Sequence, residues 1–201
     1  NLRAFGPNSP KGSNKAAIDW TGFSIGQGNT VNFVQPSASA VALNRVVGTD
    51  PSIIQGALHA NGHVFLLNPN GVLFSPTAQV NVGGLVASTL AMSNEDFMAG
   101  RYHLSGASAQ AVENHGSIGA AAGGNVALVA ARVVNTGSIV ADKGNALLGA
   151  GSDAVVDFGG PVKLQVNKGA LDALVDNGGA IRADGGTVLM TAKSAGELSA
   201  S

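Results

Sequence analysis

The chain has 201 residues, enough for one sizeable domain, and 11% of them are charged, which excludes the charge-rich composition of a disordered tail. A formal net charge of −1 with no basic cluster excludes the electrostatic footprint of a nucleic-acid binder. Cys is absent, which excludes disulfides, thiolate metal sites and cysteine nucleophiles, and the 4% of aromatic residues leaves a core of small and branched aliphatics.

Gly accounts for 29 residues, about twice the usual share of roughly 7%, which fits many short strands joined by tight turns. No stretch reaches the roughly 18 apolar residues of a membrane span. No signal peptide stands at Asn1, so the chain is expected to be cytosolic or to have lost its leader.

Residues 1–15, with two Pro, two Gly and three Asn, read as a cap or the remnant of one. From Ala16 to Ser201 the sequence reads as one repetitive β body. Short apolar runs appear, each closed by Gly, Asn or Pro: Ile18–Trp20, Val31–Val34, Val41–Val47, Val64–Leu67, Val72–Phe74 and Val80–Val82. Two excursions interrupt it, near 91–111 and near 151–175. Ser93 to Gly100 predicts a short helix, with Ser93 as N-cap, Glu95 and Asp96 as first-turn acids and Gly100 as its end. Residues 154–167 predict a hairpin turning at Gly159-Gly160, and Leu171 to Val175 predict one helical turn.

The second half repeats. Asn114-His115-Gly116-Ser117-Ile118 recurs 21 residues on as Asn135-Thr136-Gly137-Ser138-Ile139, and 42 residues further, altered, as Asn177-Gly178-Gly179-Ala180-Ile181. Gly124-Asn125-Val126, Gly144-Asn145-Ala146 and Gly186-Thr187-Val188 echo behind them. A unit of about 20–21 residues with two short strands cannot bury its own apolar face, but stacked copies can. With no helical period in the unit, the repeat predicts an all-β, single-stranded solenoid. Asn and Gly are expected to supply left-handed backbone at its corners, and the Asn side chains a hydrogen-bonded ladder. The expected interior is Val72, Val80, Val82, Ile118, Val126, Leu128, Ile139, Leu147, Ile181, Val188 and Leu189.

The sharpest local signal is Asn68-Pro69-Asn70-Gly71, set between two apolar runs. Pro69 presets φ at the second position of a turn, Asn70 and Gly71 accept bridge or left-handed backbone, and Asn68 can bond its own turn. In this company the stretch Ala16 to Phe97 resembles the N-terminal secretion (TPS) domain of two-partner-secretion exoproteins, the filamentous-haemagglutinin or haemagglutination-activity family, in its adhesin branch. The resemblance is carried by Ala17-Ile18-Asp19-Trp20, Phe23-Ser24-Ile25-Gly26, Val31-Asn32-Phe33-Val34-Gln35-Pro36, Ala42-Leu43-Asn44-Arg45-Val46, Gly62 to Val72 and Val82-Gly83-Gly84-Leu85-Val86-Ala87-Ser88-Thr89.

That resemblance implies a right-handed parallel β-helix with an N-terminal cap. It implies a non-catalytic module that crosses the periplasm and is recognised by an outer-membrane β-barrel transporter of TpsB type with periplasmic POTRA domains. The module would then seed folding outside the cell, as part of a secreted or surface adhesin whose downstream region meets a host-cell receptor. Asn68, Pro69, Asn70 and Gly71 would form the recognition and folding turn. The best-known members carry a second motif, Asn-Pro-Asn-Leu, upstream; the corresponding corner here is Gln35-Pro36-Ser37-Ala38.

Other candidates read more plainly. His59, His63, His103 and His115 are dispersed, with no i, i+4 pair, so no metal site and no cofactor are expected. Gly22, Gly26 and Gly28 lack the Lys-Ser/Thr of a phosphate loop, and no Gly-x-Ser-x-Gly elbow occurs. Trp20 and Phe23 are expected to pack in the core or cap. A β-helical carbohydrate-active enzyme would need clustered carboxylates, which the sequence does not supply; a plain structural stalk is the other alternative. A monomer with no nucleic-acid partner is expected.

Overall fold

The computed structural model describes residues 14–158 and 163–195. Most of the 1–15 segment and the Gly159-Gly160 turn therefore lie outside the described residues; Lys15 opens the first strand. The chain winds as a parallel β-helix whose coils share three faces. The first face is a 7-stranded sheet of Lys15–Trp20, Val41–Val46, His63–Leu67, Gly84–Ser88, Val126–Ala130, Asn145–Ala150 and Thr187–Ala192. The chain turns from it onto a 5-stranded second face of Ser52–Ile54, Val72–Phe74, Ala111–Asn114, Arg132–Asn135 and Leu174–Asn177. A 6-stranded third face follows, of Thr30–Phe33, Ala57–Ala60, Gln79–Val82, Ser117–Ala120, Ser138–Val140 and Ala180–Arg182. This is the β-helix that the repeat and the resemblance predict.

Register turns the sequence repeat into columns. Leu58, Val80, Ile118, Ile139 and Ile181 stack one above another on the third face, all directed inward. On the second face Val72, Val112, Val133 and Val175 do the same. Ile139 is fully buried in mid-column. Ile139→Ala should lower the unfolding free energy by about 2–5 kcal/mol, because flanking β-strands cannot collapse into the gap; urea denaturation measures it.

The Asn ladder is real. On the second face Ile54 and Phe74 give way in register to Asn114, Asn135 and Asn177. Asn114 Nδ2 donates to Asn135 Oδ1 at 2.8 Å, and Asn135 Nδ2 donates to Asn177 Oδ1 at 2.7 Å. Each buried amide thus satisfies the next coil's amide, which is how a polar column can occupy an apolar interior. The corner glycines have a different reason from the one the sequence suggests. Positive φ occurs among the described glycines at Gly28, Gly71, Gly100, Gly123 and Gly185, not at Gly116, Gly137 or Gly179. A Cβ on Gly137 would land on the carbonyl oxygen of Gly116 in the preceding coil. Coil spacing, not left-handed backbone, requires glycine there.

Both excursions pack on the outside of the first face. Helix Asn94–Ala99 is capped by Ser93, whose Oγ accepts from Asp96 N at 3.0 Å, and closed by left-handed Gly100. Strand Tyr102–Ser105 pairs antiparallel with Asp153–Val156, which pairs with Leu164–Lys168. Phe65, Val86, Leu104, Ala127, Ala154 and Leu164 fill the layer between the first face and the small sheet with its helix. The middle first-face strands, from Val41–Val46 to Asn145–Ala150, are therefore buried on both sides, which is why they read as continuous apolar runs such as Val126–Ala130.

Three sequence expectations need correction. Leu147 and Leu189 face this outer layer, in register with Ala127; the inward positions are Ala146 and Leu148. An unbroken apolar run carries no alternation to tell inside from outside. Val188 points inward in register with Ala146, yet it is 44% exposed because it lies on the last described rung. Leu171 to Val175 is not a helical turn: Leu174–Asn177 is a strand. At the opposite end, Trp20 and Phe23 meet edge to face at 5.7 Å and Phe23 stacks on Phe33, so these aromatics close the first coil as core packing.

Candidate recognition turn

Asn68 to Gly71 form the corner between first-face strand His63–Leu67 and second-face strand Val72–Phe74. Gly71 N–H donates to Asn68 O at 3.1 Å, closing a β-turn with Pro69 at its second position. Asn70 N–H donates to the Asn68 side chain Oδ1 at 2.9 Å. Of the two residues expected to accept unusual backbone, only Gly71 is left-handed, with φ 112°.

The corner is tied to its neighbours on both sides. Asn68 Nδ2 donates to Asp50 O at 3.0 Å and to Ser52 Oγ at 2.9 Å in the preceding coil. Asn70 Nδ2 donates to Gly48 O at 2.8 Å and to Asn68 Oδ1 at 3.1 Å. Toward the following coil, Asn68 N–H donates to Ser88 O at 2.9 Å, and Ser108 Oγ donates to Pro69 O at 2.6 Å. Asn68 is 0% exposed, whereas Pro69 is exposed. Solvent thus meets Pro69, beside an apolar groove of about 210 Å³ that also holds Val47, Leu67 and Leu90. Gly48, Asp50 and Ser52 were not singled out by the sequence; their only signal is their place one coil upstream.

Gln35 to Ala38 lie at a different corner, before Val41–Val46. The hydrogen-bonded turn falls later than the Pro36 position suggests, with Ala40 N–H donating to Ser37 O at 3.2 Å. Gln35 itself is buried and staples two coils. Its Nε2 donates to Ala40 O and His63 O, both at 3.0 Å, and its Oε1 accepts from Gly62 N at 2.9 Å. Asn61 clasps its backbone, accepting from Gln35 N at 2.7 Å and donating to Gln35 O at 2.8 Å. Pro36 and Ala38 are exposed. The fold does not bring the two corners together: they sit at opposite ends of adjacent first-face strands, about 16 Å apart for a five-residue strand.

One further groove, about 640 Å³, lies where the first face meets the small sheet, with His63, Phe65, Asp96, Tyr102, His103 and Phe158 on its walls. Asp96 is bound to Arg101 at 2.9 Å, and Arg101 and Ser93 hold its carboxyl below the usual range. The hydrogen bond from Asn167 first, and that from His103 at 3.1 Å, similarly lower Asp153. No group of three metal-ligating side chains occurs among the described residues. Burial pushes the His63 imidazole below its ordinary value of 6.5. The unfolded chain then binds more protons than the folded one as pH falls through that value, so stability is full above it and declines below, levelling once folded His63 also protonates. Denaturation at about pH 7.5 and pH 5.5 should show this decline, and His63→Gln should reduce it.

The model of the TPS secretion domain matches residues 6–201. The chain belongs to the TPS secretion domain family. Proteins of this family are exported by two-partner secretion. In structure this TPS domain is similar to the HMW1 secretion domain from Haemophilus influenzae, with a TM-score of 0.78 and 32% identity, over 87% of this chain and 50% of that one. In sequence it is 56% identical over 79 residues to a heme/hemopexin-binding protein of Haemophilus influenzae, covering 39% of this chain and 8% of that protein. A second heme/hemopexin-binding protein, from the Rd strain, is 56% identical over 72 residues, again 8% of its length. The TPS domain thus spans a small part of the curated relatives it matches.

Proposed function

We propose that this TPS domain is the non-catalytic targeting module of a larger secreted or surface adhesin, handed through the periplasm to a TpsB-type outer-membrane barrel with POTRA domains. In this reading the Asn68–Gly71 segment is recognised before folding and becomes a coil corner afterwards. The observation that carries it is the complete burial of Asn68. A transporter that reads this side chain must meet it in an extended chain, because the folded corner offers only Pro69 and part of Asn70. Gln35 to Ala38 take the role of the second corner, with Gln35 joining coils from within. Outside the cell, the folded coils then seed folding of the rest of the larger protein.

Recognition and folding separate experimentally. Asn70→Ala removes the Gly48 tie while leaving Asn68 in place, and Gly71→Val strains the left-handed position by about 1–2 kcal/mol. Both variants should show a reduced secreted fraction beside a co-expressed transporter, together with only a modest fall in the thermal midpoint of the purified module. Full secretion of both would remove the segment from the export step.

A further inference from the structure

We infer that Asn70–Gly71, and with it Asn61–Gly62, is an imide-forming modification site open only before folding, so that chains held unfolded become marked at these corners while folded chains do not. The inference rests on the corner geometry and does not need the transporter reading. Asn precedes Gly at 61–62, 70–71 and 177–178. Glycine carries no Cβ, so in a flexible chain its backbone nitrogen can reach the preceding side-chain carbonyl. At residue 70 the Gly71 nitrogen, its proton lost to solvent base, attacks Asn70 Cγ. The N–Cγ bond forms, the Cγ–Nδ2 bond breaks, and ammonia leaves with the proton. Water then opens the five-membered imide at either carbonyl, leaving aspartate or isoaspartate. No oxidant or reductant enters.

Folding commits the reacting groups to other partners. Gly71 N–H is committed to Asn68 O at 3.1 Å, and the Asn70 amide is held by Gly48 O at 2.8 Å. At the other corner Gly62 N–H is committed to Gln35 Oε1 at 2.9 Å, and both ends of the Asn61 amide grip the Gln35 backbone at 2.7 and 2.8 Å. Asn177–Gly178 is also engaged, through Asn135, but it lies on the last described rung, with no further coil over it among the described residues. A marked chain rebuilds the motif corner less well. Aspartate at 70 would face the acceptors Gly48 O and Asn68 Oδ1 with no proton to give, and isoaspartate would lengthen the turn by one backbone carbon.

The test incubates the full chain, folded in buffer and unfolded in urea, at the same mildly alkaline pH, and follows each Asn by peptide mass spectrometry. In urea all three sites should convert. In the folded chain Asn70 and Asn61 should slow by roughly tenfold or more, since only rare open states react, and Asn177 should slow less. After dilution from urea, molecules converted at 70 should concentrate in the fraction that fails to refold. Gly71→Ala should slow conversion at 70 in urea but leave Asn61 unchanged, which marks the imide route. Equal rates at Asn70 with and without urea, refolded material as rich in the converted residue as the unfolded fraction, or wild-type conversion in Gly71→Ala would each overturn the inference.

Discussion

Phe65→Ala should destabilise the module by about 3–5 kcal/mol, the range for deleting a buried aromatic side chain. Phe65 is 1% exposed and stands on the outer side of the first face, in register with Leu43 and Val86. Its ring meets Tyr102 edge to face at 4.8 Å and Phe97 at 6.1 Å. One side chain therefore joins the coil to both parts of the first excursion, the helix through Phe97 and the antiparallel sheet through Tyr102. Aromatic pairs add about 0.5–1.5 kcal/mol beyond area burial, so the loss should reach the upper part of the range. Hydrogen exchange would locate it: amides of Tyr102–Ser105 and Asp153–Val156 should lose protection, while the third face keeps its own. Unchanged protection in both strands would mean that the small sheet is held by something other than this contact.

Asn68→Ala should be the most damaging change at the motif. It removes the acceptor for Asn70 N and Nδ2 and the donor for Ser52 Oγ, and Ser52 is itself fully buried. Each buried polar group left unpaired costs roughly 1–3 kcal/mol. The purified variant should unfold at lower urea with an unchanged slope, the mark of lost stability without altered compactness. Asn68→Asp keeps the acceptor at Oδ1 but has no proton for Asp50 O, so it should recover only part of the loss. In secretion, Asn68→Ala should fall below Asn70→Ala, because it is expected to lose both the recognised side chain and the turn.

Much of the fold was legible because the chain repeats. The 21-residue spacing of Asn114 and Asn135 reappears as a hydrogen bond between their side chains, and Ile118, Ile139 and Ile181 share a column. Legibility stopped where one strand is buried on both sides. In Asn145–Ala150 both Leu147 and Leu148 are apolar and buried, so only the register assigns them to different layers. It stopped also at contacts between coils: Gly137 needs to be glycine because of Gly116, and Asn68 is satisfied by Ser52, relations invisible until the coil spacing is known. The motif itself was legible as a turn from Pro69 and Gly71 alone. That its first Asn is buried while its Pro is exposed was not, since burial at a corner depends on which neighbouring coils close over it.

Export through a partner barrel is the function proposed for this module. It is measured as the secreted fraction of the module, carried on an added export leader and fused to a small reporter, in cells with and without the cognate transporter. Folded module should reach the medium only when the transporter is present, and without it the chain should be degraded or retained in the periplasm. Equal secretion in its absence, or retention of an intact module in its presence, would mean that the module does not direct export through a partner barrel.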